Sequence, residues 1–193
     1  MSQVSTESFE FATEEIPEPL QQGGLSSGKV VHGKLIPPQQ QILLFSPDDW
    51  EAFIEEWAHF QKTQYKLVTR LSASADMGID IAGFCDEKGF SGVWDNHQCK
   101  HYGSAITPST AIPEIGKCLW HAWEGHFVPP RHYYFVAPKD CGMSLKKLLL
   151  NSADLKYKLI EKWDEWCANT ITSTKTIALD GDFLAYVEGF DFS

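Results

Sequence analysis

Residues 70–102, RLSASADMGIDIAGFCDEKGFSGVWDNHQCKHY, are the stretch that decides the fold. We predict two β-strands here, joined by a turn at residues 86–89, where Asp, Glu, Lys and Gly follow one another. Successive side chains of a strand point to opposite faces, so Gln98 and Lys100 share one face while Cys99 points to the other. If the strands pair as a hairpin, Asp80 joins them. One sheet face then carries a carboxylate, an amide and an ammonium, an unusual set for a half-buried sheet.

These side chains fit the chemistry of phosphodiester hydrolysis, which needs an activated water and a cation on the scissile phosphate. Asp80 supplies a carboxylate for Mg²⁺, a cation that prefers oxygen ligands and keeps several waters. Gln98 offers a neutral amide oxygen, and the backbone carbonyl of Cys99 offers another. Lys100 is suited to hold or deprotonate the attacking water. Spacing alone supports equally well an ordinary cross-strand ion pair between Asp80 and Lys100.

A helix is predicted upstream, from Ser46 as its N-cap to about residue 61. Its apolar side chains recur with the i, i+3, i+4, i+7 spacing of a buried stripe: Trp50, Phe53, Ile54, Trp57 and Phe60. Glu51 lies next to this stripe. It therefore either faces solvent or flanks the sheet beside Asp80.

The remaining elements complete an α-β-β-β-α-β order. A strand is predicted at residues 65–71, before the hairpin, and a helix at 112–124 and a strand at 132–137 follow it. Accessory helices are expected at 144–150, capped by Ser144, and at 154–171 and 182–188. This order predicts an α/β fold, a mixed sheet with helices on both faces, in one domain over residues 42–193. Residues 1–41, rich in Glu, Gln, Ser, Gly and Pro, are expected to form a flexible tail or a partner-binding arm.

Composition limits the class of protein. The 193 residues are 43% hydrophobic, which suits a single globular core. The absence of a long apolar run and of a leader peptide predicts a cytoplasmic protein with no membrane partner. Five scattered cysteines without a CxxC motif predict free buried thiols.

The net charge of −10 argues against a nuclease that binds its nucleic acid alone. A module that captures DNA by itself usually presents a basic surface, because phosphate contacts supply most non-specific affinity. Residues 1–28 hold five glutamates and no lysine or arginine, and subtracting them from −10 leaves −5. The remainder is still acidic, so a nuclease built from this chain would depend on partners to bring it the DNA.

Three segments together resemble the Mrr-like branch of the PD-(D/E)xK nuclease superfamily. They are Trp50-Glu51, residues 76–81 (DMGIDI) and residues 98–102 (QCKHY), and the resemblance covers about residues 46–137. It implies a restriction-endonuclease-like αβββαβ core and a Mg²⁺- or Mn²⁺-dependent endonuclease acting on double-stranded DNA. It also implies Asp80 as metal ligand, Gln98 in place of the second motif acid, Lys100 as catalytic lysine and Glu51 as helix acid. Asp76 matches an additional loop aspartate with a peripheral role.

The chain departs from the family pattern in two ways. Residues 72–75 read SASA where the family has a glycine-rich loop, and we predict no attached DNA-reading domain. Nucleases of this kind often act as effectors in bacterial anti-phage defence, so the resemblance implies protein partner subunits or a homo-oligomer. The alternative is a nuclease-fold scaffold subunit with little or no activity that docks partner proteins. An RNA-directed enzyme of the same fold stays open as well.

Overall fold

The computed structural model describes residues 36–61, 63–71 and 77–192. Its helices are α1 (Pro38–Gln41), α2 (Pro47–His59), α3 (Pro108–Trp123), α4 (Met143–Leu149), α5 (Ser152–Glu161) and α6 (Gly181–Gly189), with a π-helix at Trp163–Cys167. Its strands are β1 (Leu67–Arg70), β2 (Ile81–Phe84), β3 (Trp94–Cys99) and β4 (His132–Val136). The predicted class is confirmed: the fold is α/β, with a four-stranded mixed sheet flanked by helices.

The sheet has the order β1-β2-β3-β4. The pairs β1–β2 and β2–β3 are antiparallel, and β4 runs parallel to β3 after the crossover through α3. The predicted hairpin is β2–β3, and its register pairs Ile81 with His97, which brings Asp80 opposite Gln98. At the turn, the Asp86 carboxylate accepts hydrogen bonds from the backbone N–H groups of Lys88 (2.8 Å) and Val93 (2.9 Å). These hydrogen bonds of Asp86 stabilise the turn and with it the register that brings Asp80 beside Gln98.

Helix α2 begins with the predicted cap. The Ser46 hydroxyl accepts from the Asp49 backbone N–H, and the Asp49 carboxylate accepts from the Ser46 backbone N–H, both at 3.1 Å. Trp50 and Ile54 pack with Val68, Ile81 and Cys99 on one face of the sheet. The prediction of one fully buried stripe was wrong for its other members, since Phe53, Trp57 and Phe60 are 40%, 44% and 71% exposed.

Helix α3 covers the opposite face. Its Cys118 packs with Ala82, Phe84 and Trp94 of the hairpin, while its other side contacts the C-terminal helices. Helices thus lie on both faces, as predicted. The helix starts four residues before the expected position because Pro108 occupies its first turn, where a missing N–H costs nothing.

Three predicted boundaries near the chain ends were wrong. The continuous helix over 154–171 is divided: α5 ends at Glu161, and a π-helix brings Trp163 and Cys167 to 3.2 Å from where a Cβ would stand on Gly116. Packing on α3, which local periodicity does not encode, sets this register. Ser144 is no cap, since α4 begins at Met143 after Gly142. Residues 38–41, assigned by composition to the tail, form α1 with Pro38 in its first turn.

Two composition-based predictions concern thiols and membranes. The five cysteines all lie in described segments and are unpaired, although Cys85 and Cys141 are only partly buried. No helix of the described segments combines the length and the apolar character needed to cross a membrane. The predicted tail before residue 36, the loop 72–75 and Asp76 lie outside the described residues.

Candidate active site

Asp80 immediately precedes β2 and is held by β3. Its Oδ2 accepts hydrogen bonds from the Cys99 backbone N–H (2.7 Å) and from Gln98 Nε2 (2.8 Å). No described residue donates to its Oδ1. One carboxylate oxygen is therefore fixed by the sheet, and the other is available for a ligand.

Gln98 is almost fully buried and serves first as a support for Asp80. Its Nε2 donates to Asp80, and its Oε1 lies 3.3 Å from the Tyr133 hydroxyl, whose one proton it shares with the closer Gly78 carbonyl at 3.0 Å. The amide oxygen predicted to bind metal therefore faces Tyr133 in this arrangement. Rotating the amide to present that oxygen beside Asp80 would break the hydrogen bond that Gln98 donates.

The backbone and the side chain of Cys99 have different roles. Its backbone N–H holds Asp80, while its side chain packs in the core beneath α2. Burial, followed by the charge of Asp80, raises the pKa of the Cys99 thiol well above its ordinary value. The thiol is therefore protonated at neutral pH. Only the backbone of Cys99 is suited to metal chemistry.

Lys100 directly follows β3, and its ammonium donates to Glu114 Oε1 on α3 at 2.8 Å. Both side chains are about nine-tenths buried, at 12% and 13% exposure. Burial is the largest single effect and would lower the pKa of Lys100, but the charge and the hydrogen bond of Glu114, together with the charges of Asp80 and Tyr102, outweigh burial, and the pKa lies above its ordinary value. Lys100 is therefore held as an ammonium.

Glu51 lies in the first half of α2. Its Oε2 is 3.3 Å from Arg70 Nε at the end of β1, and both side chains are partly exposed. Its charge also contributes to the titration of Asp80, so the two carboxylates share one electrostatic neighbourhood. The structure thus brings the predicted helix acid towards the predicted metal ligand.

Burial raises the pKa of Asp80 from 3.8 to about 6. Lys100 and the Cys99 N–H lower this pKa, whereas the charges of Glu51 and Glu114 raise it further. The groups that stabilise a negative charge on Asp80 are therefore outweighed by its burial and by the neighbouring acids. Perturbed carboxyl groups of this kind are concentrated at functional sites, although structural networks also produce them.

The residues fit an oxygen-binding cation such as Mg²⁺ or Mn²⁺ better than a metal that prefers thiolate or imidazole ligands. No group of three or more His, Cys, Asp or Glu side chains within the described segments is arranged to hold a metal ion. Mg²⁺ needs only one or two carboxylates because water completes its coordination. Asp80 Oδ1 meets that requirement, whereas the buried Oε2 of Glu114 lies 3.4 Å from Lys117 Nζ and is already in an ion pair.

Three residues that sequence reasoning missed shape this site: Glu114, Tyr133 and Gly78. Gly78 has φ = 75°, and its carbonyl accepts from Asn96 Nδ2 (2.7 Å) and the Tyr133 hydroxyl (3.0 Å). A Cβ on Gly78 would lie 2.5 Å from the Glu114 carbonyl oxygen. The glycine of the DMGID segment was the available signal, because it allows this close approach two residues before Asp80.

The two histidines near the motif lie on the other face of the sheet, as strand alternation predicts. The His101 ring nitrogen Nε2 is 2.8 Å from the Ile42 carbonyl oxygen. The His97 ring packs edge-on against Tyr65. Neither is placed beside Gln98 and Lys100.

Comparison of the chain with protein-family models, with curated proteins and with solved structures finds no match. Its function is therefore inferred from the residues and their geometry.

Proposed function

We propose that this protein is a metal-dependent nuclease that hydrolyses phosphodiester bonds of double-stranded DNA. The observation that carries the proposal is the Asp80 carboxylate, fixed through one oxygen by β3 and left with a pKa of about 6 by burial. A lysine follows the same strand, and two further acids lie nearby. An acid and a lysine at the ends of paired strands meet the needs of phosphoryl chemistry.

Asp80 is the first proposed ligand of Mg²⁺ or Mn²⁺, through Oδ1. The Cys99 carbonyl and, after rotation of its amide, Gln98 are the further proposed ligands, and Glu51 adds negative charge. When bound, the cation would neutralise charge on the phosphate and lower the pKa of a water molecule. The raised pKa of Lys100 favours one role for this residue: as an ammonium it stabilises the developing negative charge, and removing its proton to make a general base is costly.

The acidic balance of the chain supports an effector that does not capture DNA alone. A net charge of −10 opposes non-specific binding to phosphates. We therefore place the nuclease in a complex whose partner subunits supply a basic surface, as an effector of bacterial anti-phage defence would require.

The direct test is cleavage of supercoiled plasmid by the full chain with Mg²⁺ or Mn²⁺. We expect Asp80→Asn and Lys100→Met each to reduce the cleavage rate by about 100-fold or more, because each removes a charged group from the reacting centre. Glu51→Gln should also slow cleavage, whereas its matched control Glu56→Gln, at an exposed position of the same helix, should not. Unchanged cleavage by Asp80→Asn would refute the assignment.

One observation favours a second candidate, a nuclease-fold scaffold subunit without activity. Glu114 already neutralises Lys100 at 2.8 Å. Calorimetric titration with Mn²⁺ separates the two candidates. Binding that is lost in Asp80→Asn supports the enzyme, whereas the absence of binding at millimolar metal supports the scaffold.

A further inference from the structure

An open cavity of about 630 Å³ lies on the α2 face of the sheet, opposite Gln98 and Lys100. Its walls come from Phe53 and Trp57 of α2 and from Tyr134 of β4, whose side chains are 40%, 44% and 41% exposed. None of the described residues that line it is Asp, Glu, Lys or Arg. The cavity is therefore an apolar hollow between the helix and the sheet, and it is open to solvent.

Acidic side chains border this hollow along α2. The helix contains five acids and no lysine or arginine. Asp49 and Glu56 follow the i, i+4, i+7 spacing with Phe53, so the two acids fall on the same side of the helix as the exposed aromatic rings. Both acids are exposed, and within the described segments Glu51 is the one acid of α2 that forms an ion pair. The hollow thus has an acidic border that is not neutralised by described side chains.

Helix α4 presents a surface of the opposite charge. Met143, Lys147 and Leu150 recur with the i, i+4, i+7 spacing of one helix side. Met143 is 69% exposed, and Leu150, at 82%, is the most exposed large apolar side chain of the described segments. The helix holds two lysines and no acid, although Asp140 lies 3.7 Å from the Lys146 ammonium. This surface is a projecting apolar knob with positive charge beside it.

The distribution of charge along the chain singles out this region as the complement of α2. Residues 139–162 contain six lysines and three acids, a net charge of +3, in a chain whose net charge is −10. Opposite charges steer two surfaces together, whereas an acidic surface repels the acidic remainder of the chain. The chain therefore carries both halves of a complementary pair, an acidic hollow and a basic knob.

Within one molecule these two surfaces lie on opposite faces of the sheet. Helix α2 packs on the face that carries Ile81 and Cys99. Helix α4 packs through Leu145 against Ile106 and Ala111, on the side covered by α3. Because the sheet separates them, a molecule cannot lay its own α4 on its own α2. A contact between the two surfaces requires two molecules.

We propose that α4 of one copy of this chain docks on the α2 surface of a second copy, with Leu150 in the apolar hollow and the α4 lysines beside the acids of α2. Removing Leu150 from water supplies the apolar part of the contact, and the opposite charges supply its specificity. Because two different surfaces meet, each bound copy keeps one free surface, and copies add head to tail. The contact does not depend on the proposed nuclease activity.

The test is sedimentation velocity of the full chain at increasing protein concentration, in low and in high salt. Because α4 is short, we expect association in about the micromolar range. The average mass should rise with concentration and fall with added salt, which screens the charged part of the contact. A chain that stays monomeric at about 100 µM would leave both surfaces to a different partner and would overturn the proposal.

Two variants separate the two surfaces. Leu150→Glu blocks the knob, Trp57→Glu blocks the hollow, and each protein alone should be monomeric. Their equimolar mixture should form a dimer and nothing larger, because it retains one intact knob and one intact hollow. Leu67→Glu is the matched control: Leu67 is 58% exposed on β1, at the sheet edge remote from β4, and its variant should associate as the unmodified chain does.

Circular dichroism checks that each variant is folded. If Trp57→Glu is unfolded, Glu56→Lys takes its place, since it leaves the aromatic rings intact and reverses a charge at the border of the hollow. The proposal is overturned if Leu150→Glu associates as the unmodified chain does, or if the mixture of blocked variants stays monomeric. Asp80→Asn should associate normally, so this proposal and the nuclease proposal can fail separately.

Discussion

Asp80 is a carboxylate that the fold holds at a cost in stability. Burial raises its pKa to about 6, whereas in an unfolded chain the pKa is near 3.8. The folded state therefore binds a proton that the unfolded state has lost between these two values. Stability from this group falls as pH rises from about 4 to 6 and stays low above pH 6.

Asp80→Asn should remove that penalty, because the amide oxygen can still accept from Gln98 and Cys99. At pH 8 we expect the variant to be more stable by about 1–3 kcal/mol, at about 1.4 kcal/mol per pKa unit. The gain should shrink as pH falls through 6 and vanish near pH 4. Urea unfolding at several pH values measures it, with Asp164→Asn, an exposed aspartate, as the control. An equal gain at all pH values would show that Asp80 is not the titrating group.

In the unmodified chain, metal binding should offset the loss of stability caused by the buried, ionised Asp80. A cation that binds only the folded state stabilises it, and Asp80 is the proposed first ligand. We expect Mn²⁺ to raise the thermal midpoint of the native protein and EDTA to return it to the starting value. Asp80→Asn should show no such change. An equal increase in both proteins would place the metal elsewhere.

Glu114 sets the protonation of Lys100. Its charge and its hydrogen bond make the largest contributions that raise the pKa of that lysine, and with the charges of Asp80 and Tyr102 they outweigh burial. Glu114→Gln keeps the shape but removes the charge, so the Lys100 pKa should fall below that in the unmodified chain. An NMR titration of the lysine side-chain signals measures it. Glu124→Gln, an exposed acid at the end of the same helix, should leave the signal unmoved.

At the scale of elements, Gly78 shows how backbone geometry positions the site. Its positive φ and the 2.5 Å gap to the Glu114 carbonyl leave no room for a side chain. Gly125 also has a positive φ, 84°, but nothing lies within 4 Å of where its Cβ would be. Both substitutions by Ala carry the strain of positive φ, about 1–2 kcal/mol.

Gly78→Ala should therefore be the more destabilising of the two, by about 1–3 kcal/mol beyond Gly125→Ala, because a backbone atom cannot move aside as a flexible side chain can. It should also weaken Mn²⁺ binding, since Asp80 is two residues away. Urea unfolding and calorimetry test both effects. Equal losses in the two variants would mean that the chain near Gly78 relaxes freely.

The features that could be predicted from the sequence are those set by residues close together along the chain. The Ser46 cap, the Asp86 turn and the period of two in β2 and β3 are short-range features, and they predicted Asp80, Gln98 and Lys100 on one face of the sheet. Glu114 escaped prediction because it reaches Lys100 only through the packing of the crossover helix α3. The π-helix escaped for the same reason, since contact with Gly116 sets its register. The cavity beside Trp57 also escaped, because periodicity marks a side chain as apolar but does not show how far the helix covers the sheet.

For the whole molecule, the acidic net charge limits how strongly the proposed nuclease can bind DNA by itself. Each phosphate contact contributes about −0.9 to the slope of log Kobs against log salt concentration. Among the described residues, the cations Arg70, Lys100 and Lys117 lie beside the site's acids, each within 4 Å of a glutamate oxygen. The chain by itself should therefore bind duplex DNA weakly, with a slope no steeper than about −3.

Fluorescence anisotropy with Asp80→Asn, which should bind without cutting, measures this slope. Lys100→Ala in that background should make the slope shallower by about 0.9, the contribution of one phosphate contact. Lys147→Ala, exposed on α4, should leave the slope unchanged. In the proposed complex, a partner subunit with a basic surface should steepen the slope, since that surface would add phosphate contacts. A slope of about −6 or steeper for the chain alone would mean that it captures DNA through an extended basic surface, and the dependence on partners would then be wrong.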